Sequence, residues 1–180
     1  MERLNRTNDT VADSATLLRW NEPQGAVFDA TQTYRYTLWR CWNPEAPSIA
    51  FIMLNPSTAD AAKDDPTIRS CRQFAKVWDY GSVEIVNLFA YRATLPRDLR
   101  CSLQPIGDDN DRYILEAVES AAKVVVAWGN WRSWLGRDRT LLNLLSSTPL
   151  HCLGVNQSAQ PRHPLYVKRD TRLQQFIRKE

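Results

Sequence analysis

The chain has 180 residues, 43% of them apolar, and a formal net charge of +3, so it can bury one good hydrophobic core and is expected to form a single domain. No apolar run is long enough to span a bilayer and the polar start, MERLNRTNDT, lacks the apolar centre of a secretory signal, which predicts a cytoplasmic protein with no membrane partner. Cys41, Cys71, Cys101 and Cys152 are scattered without a C-x-x-C pair, an arrangement that argues against a zinc site, an iron–sulfur cluster and a disulfide framework.

Residues 1–33 read as an N-terminal extension, the first twenty of them without a clear pattern. Tyr34 to Trp42 alternates well enough for a strand, which Pro44 to Ser48 turns back beside the next one. Ile49, Phe51, Ile52, Met53 and Leu54 form a near-continuous apolar run, the pattern of a strand covered on both faces of a parallel sheet. It breaks at Asn55-Pro56-Ser57-Thr58, where an amide, two hydroxyls and free N–H groups crowd into one short loop. Strands of this type carry ligands at their carboxyl ends. Asp64 or Asp65 then caps a helix begun by Pro66, with Ile68, Cys71, Phe74, Ala75 and Trp78 inward and Gly81 at its end.

Ser82 to Leu88 reads as a second sheet strand whose end presents Asn87, followed by Phe89, Tyr91, Arg92 and Thr94. A proline-punctuated connection leads to a helix from about Asp108, with Ile114, Leu115, Val118 and Ala122 as its apolar stripe. Val124 to Ala127 makes a third strand ending in Trp128-Gly129-Asn130, Leu135 to Ser147 a helix, and Leu150 to Val155 a fourth strand. His163 follows in the proline-flanked loop QPRHPLY, and Lys168 to Lys179 reads as a basic surface helix with Leu173, Phe176 and Ile177 inward. Strands alternating with helices predict a three-layer α/β/α sandwich on a mainly parallel four-stranded sheet, plus the N-terminal strand. Four strand ends then supply one cleft. There is no G-x-G-x-x-G or P-loop, which argues against dinucleotides and nucleoside triphosphates.

Two resemblances follow from these segments. LNPSTAD, DDPTIRSC, VNLFAYRAT, AWG and PRHPLY, in that order across roughly residues 34–166, resemble the motifs of a bacterial and phage family, domain-of-unknown-function family 1643. More faintly, Asn55-Pro56 after the first sheet strand, Asn87 at the end of VEIVNL, Trp128-Gly129 after VVVA and His163-Pro164 in a late loop resemble the uracil-DNA glycosylase superfamily. That second resemblance implies a glycosylase-like core over 34–166 and DNA as partner. It also implies release of a damaged or modified base, a pyrimidine by preference, to leave an abasic site. The bacterial and phage distribution implies a role against phage with modified DNA. The chain departs from the superfamily in continuing Leu165-Tyr166 after the histidine-proline pair, and in lacking an aromatic or glycine after Pro56.

Breaking an N-glycosidic bond develops negative charge on the departing base, so donors aimed at the base matter most. His163 is the expected donor, while His151, inside the fourth strand, reads as structural. Asn55 is expected to orient a water and one of the loop carboxylates Asp60, Asp64 and Asp65 to activate it, Asp60 first because Asp64 and Asp65 also read as helix caps. Asn87 is expected to read the base edge, with Ser57, Phe89 and Trp128 lining the base pocket and Tyr91 another candidate to stack on it. Arg92, Arg97, Arg162 and Lys168 are the candidate phosphate contacts. No metal and no cofactor is expected, Asp108, Asp109 and Asp111 reading as a helix cap. No strand-end loop but that of Lys63 holds a lysine, which disfavours Schiff-base lyase chemistry, and the protein is expected to be a monomer. Two rivals use the same pocket: a module that senses a nucleotide or modified base without breaking a bond, and a hydrolase of free nucleosides or nucleotides.

Overall fold

The computed structural model describes residues 22–130 and 134–177. It is a mixed α/β structure on one seven-stranded sheet. In chain order the elements are β1 (Gln24–Phe28), β2 (Arg35–Cys41), β3 (Ser48–Met53), α1 (Pro66–Val77), β4 (Ser82–Asn87), α2 (Pro96–Cys101), α3 (Asn110–Ser120), β5 (Lys123–Val126), α4 (Arg137–Leu144), β6 (Leu150–Cys152) and β7 (Gln174–Gln175). The strands lie in the order β1-β2-β4-β3-β5-β6-β7. The pairs β3–β4, β3–β5 and β5–β6 run parallel, and β1–β2, β2–β4 and β6–β7 antiparallel.

This corrects the expected sheet of four strands plus one. β1 was hidden because Gly25 interrupts its pattern and places bare backbone against the indole of Trp39, its partner across the ladder. β7 is two exposed glutamines, with no apolar signal at all. β2 pairs with β4, not with the strand that follows it. The tail is also corrected. The backbone N–H of Phe176 donates to Leu150 and the segment pairs along β6. Leu173 and Phe176 consequently pack on opposite faces of the sheet, and Ile177 is 77% exposed. Residues 178–180 lie outside the described residues.

The pleat sorts the apolar strand residues into two cores. Ile49, Phe51, Met53, Val83, Ile85, Val125 and Ala127 pack with Ile68, Cys71, Phe74 and Ala75 of α1. Ile52, Val86, Val124, Val126 and Leu150 pack on the other face with Ile114 and Ala117 of α3 and Leu141 of α4. Each fully buried aliphatic or phenylalanine side chain contributes about 1.5–3 kcal/mol, so the two layers lock the strand ends that carry the polar residues. The stripe of α3 is rotated from expectation: Ala117 is buried, whereas Leu115 and Ala122 are exposed. α4 begins two residues later than expected because Leu135 and Gly136 both take positive φ.

α1 starts where its sequence dictates. Pro66 sits at the first helical position and the Asp65 carboxylate accepts from the backbone N–H of Ile68 at 2.9 Å. After the helix, Gly81 approaches the carbonyl of Asn43 so closely that a Cβ would lie 1.9 Å from its oxygen, which fixes glycine at the entry to β4. No helix among the described residues is long and apolar enough to cross a membrane.

Candidate functional site

A cleft of about 650 Å³ opens beyond the carboxyl ends of the parallel strands, between the sheet and the start of α1. Its wall takes Leu54 and Asn55 from the end of β3, Asn87 from β4, Trp128 to Asn130 after β5, and Asn156, Arg162 and His163 from the segment after β6. Arg35 of β2 and Asp65 and Thr67 at the head of α1 complete the polar lining, and Tyr166 stands at the mouth, 81% exposed.

Asn87 shares the pleat face of Val83 and Ile85 and is paired in register with Met53, so its side chain projects to the α1 side at the strand's last residue. It is 1% exposed. Neither its amide nitrogen nor its amide oxygen has a hydrogen-bond partner among the described residues. Unpaired buried amides are rare because each lost hydrogen bond costs about 1–3 kcal/mol. A donor and an acceptor therefore sit side by side, unanswered, on the floor of the cleft.

Asn55 is placed very differently. Its amide nitrogen donates to the carbonyls of Pro56 at 2.9 Å and Ala93 at 2.8 Å, and the N–H of Ala93 donates to Pro56. The amide thus stitches the loop after β3 to the loop after β4. Both donor hydrogens are engaged, which leaves the carbonyl oxygen as the acceptor that this cleft-lining side chain still offers.

His163 heads the short 3-10 turn Pro164–Tyr166, and its Nδ1 accepts from the backbone N–H of Leu165 at 3.3 Å. The neutral ring therefore carries its proton on Nε2, as a donor. Burial lowers the imidazole pKa below its ordinary value, opposed by the nearby Asp65 carboxylate, so the neutral form prevails at pH 7. The loop is held by Ser70 of α1 donating to the carbonyl of Pro164 at 3.1 Å, and by Gly129, whose N–H donates to Pro161. Gly129 has φ +79° and lies so near His163 that a Cβ would meet the histidine Cβ at 3.4 Å.

Residues 35–165 match a family model described as Protein of unknown function (DUF1643). The chain belongs to that family. No curated protein and no solved structure matches it. The DUF1643 match spans every polar cleft residue named above except Tyr166.

Several expected site residues are displaced in this DUF1643 chain. Asp60 does not line the cleft: its carboxylate accepts from the N–H groups of Ala62 and Lys63 at 2.8 Å each, closing its own turn. The cleft carboxylate is Asp65, five residues on. Asp64 is bound by Arg40 and Arg72. Phe89 is core, its ring 4.8 Å from that of Trp134 on the α3 side. Trp128 contributes to the cleft wall, but its indole points to the α3 side, with Nε1 donating to Gln160 at 2.6 Å and Phe176 edge-on to it. Pleat parity explains this: Trp128 follows Val126, not Val125. Tyr91 packs edge-on against Tyr34. Ser57 does line the cleft.

Of the expected phosphate contacts, only Arg162 reaches the cleft. Arg92 donates to the carbonyl of Gln32 and lies over the ring of Phe28, Arg97 is beside Asp98, and Lys168 is exposed away from the cleft. Asp109 and Asp111 engage Arg112 and Arg137. His151 sits in β6 outside the cleft, its pKa lowered by burial and by Lys123.

Arg35 and Tyr166 are not among the expected site residues, and Asp65 takes the place in the cleft expected first for Asp60. A charged residue opening the strand YRYTLW was the available signal for Arg35. Tyr166 offers an exposed ring 5.5 Å from the His163 ring, suited to stacking on a flat ligand at the entrance.

Proposed function

We propose that this protein is a monofunctional DNA glycosylase that takes a modified base into the cleft and hydrolyses its N-glycosidic bond. The observation that carries this reading is the buried, unpartnered amide of Asn87. A side chain offering one donor face and one acceptor face matches the –CO–NH– edge of a nucleobase flipped from the stack. The order of strand-end residues, Asn55, Asn87, Trp128-Gly129 and His163-Pro164, adds the resemblance to the uracil-DNA glycosylase superfamily as a further support.

In this reading a water held by the Asn55 carbonyl oxygen attacks the sugar carbon and gives its proton to Asp65. The carbon–nitrogen bond breaks and its electron pair goes to the base, where the Nε2–H of His163 meets the growing charge. A single well-placed donor of this kind contributes about a hundredfold to a thousandfold in rate. No lysine lines the cleft among the described residues, which supports hydrolysis without a Schiff base.

One observation favours a second reading, hydrolysis of free nucleosides or nucleotides: of four expected backbone contacts only Arg162 stands at the cleft. Both are tested by measuring free base and abasic sites after incubation with oligonucleotides and with free nucleosides bearing uracil, deaminated, alkylated, hydroxymethylated or glucosylated bases. Release from one oligonucleotide, lost in Asp65→Asn and His163→Gln, supports the glycosylase. Release from free nucleosides alone supports the second reading, and binding without release points to a sensor.

A further inference from the structure

Two arginines of β2 are equally buried, each 2% exposed, and their surroundings differ sharply. Arg40 pairs with Asp64 at 2.8 Å and donates to the carbonyls of Trp39 and Asp60. It clamps the loop between β3 and α1. Arg35 lines the cleft, yet among the described residues its side chain makes one hydrogen bond, from Nη1 to the carbonyl of Ala59 at 2.9 Å. Its Nε is buried without a partner, and it forms no ion pair with a described residue.

A guanidinium has five N–H donors in a planar fork, and most of this one's are unused. A buried cation lacking a counter-ion is costly unless something else supplies the negative charge. Burial lowers its pKa to about 10, partly offset by Asp65 and reinforced by Arg92 and Arg40. It is therefore still charged at neutral pH. Asp65, the carboxylate of the cleft, is capping α1 through Ile68 and leaves the fork of Arg35 open.

We infer that Arg35, buried in the cleft wall with no ion-pair partner among the described residues, forms an anion subsite for a phosphate group of the nucleotide whose base Asn87 reads. The existence of the subsite rests on Arg35, and the identity of the anion as phosphate rests on the base-reading role proposed for Asn87. The fork geometry suits two phosphate oxygens at once. The phosphate has two sources with the same chemistry: the backbone group beside a flipped nucleotide in DNA, or the 5′-phosphate of a free nucleotide.

The first probe is inorganic phosphate, followed by phosphorus NMR line broadening and by thermal shift at constant ionic strength in chloride. Wild-type protein is expected to bind it saturably, Arg35→Gln at least tenfold more weakly, and Arg35→Lys in between. Asn87→Leu is expected to leave phosphate binding unchanged, which separates the subsite from base reading. Near-UV circular dichroism checks that each variant is folded, and Arg35→Lys keeps the test decisive if Arg35→Gln is not. A neutral methylphosphonate beside the target nucleotide identifies the DNA source if it slows base release as much as Arg35→Gln does and has no added effect in that variant. A preference for 5′-monophosphates over nucleosides, lost in Arg35→Gln, identifies the free nucleotide. Equal phosphate binding by wild type and Arg35→Gln, or none by wild type, overturns the inference even if base release is found. Phosphate binding that depends on Arg35 without any base release sustains the subsite and defeats the glycosylase reading instead.

Discussion

Replacing Asn87 with leucine is expected to stabilise the protein while abolishing its function. The amide sits 1% exposed in a strand end surrounded by Met53 and Ile85, and neither polar atom is paired. Each unsatisfied buried group costs about 1–3 kcal/mol. Leucine has similar shape and removes both penalties, about 2–6 kcal/mol together, against about 1–3 kcal/mol for accommodating its extra bulk. A net gain of about 1–3 kcal/mol follows, or an increase in Tm of about 2–12 °C for a chain of this size. Urea denaturation followed by tryptophan fluorescence, with an unchanged slope and a higher midpoint, is the assay. A midpoint lowered by the equivalent of about 1 kcal/mol or more would show that the amide is satisfied in the resting protein, and the inference that it awaits a ligand would fall.

Asp65→Asn is expected to reduce base release by about a hundredfold to ten-thousandfold, the usual contribution of a positioned base. Its stability should change little, since asparagine caps helices as well as aspartate; a loss of stability matching the loss of activity would assign Asp65 to the fold alone. Asp64→Ala, by contrast, strips the buried Arg40 of its carboxylate and should lower stability by about 3–5 kcal/mol, measured by the same urea titration. Acidification is expected to destabilise the protein between pH 6.5 and the lowered pKa of folded His163. The unfolded imidazole binds its proton first in that window, so stability falls as pH falls through it and levels off below both values. His151 contributes in the same direction, so the His163 share is the part of the slope that disappears in His163→Gln. A pH profile identical in that variant and wild type would refute the assignment.

Much of the site was legible because strand ends are marked locally. The apolar run into Asn55 and the switch from VEIV to Asn87 both locate the cleft without any tertiary information. Which side chain faces the cleft depends on pleat parity, and Trp128, one residue past Ala127, lines the cleft wall while its indole turns to the other face. The path of the loop from Asn55 to Asp65 is set from a distance. Arg35 and Arg40 hold the carbonyls of Ala59 and Asp60 from β2, so Asp60 turns on itself while Asp65 enters the cleft. The tail has the spacing of an amphipathic helix, but the open edge of β6 offers backbone partners to Gln174 and Gln175, and pairing along that edge overrides the local pattern. Phe89 goes to the core for a related reason, since an aromatic after a strand end serves a core as readily as a pocket.

The most direct test is a binding measurement that chemistry cannot obscure. Asp65→Asn protein, expected to bind without cleaving, is titrated with the oligonucleotide panel by fluorescence anisotropy, alone and with Asn87→Leu added. Base reading by Asn87 requires that the single variant prefer one modified base over the ordinary four, and that the double variant lose that preference. Discrimination through a pair of hydrogen bonds is worth about 1–3 kcal/mol, roughly fivefold to 150-fold in affinity. A preference that survives unchanged in the double variant would contradict the assignment of Asn87 as the base-reading residue.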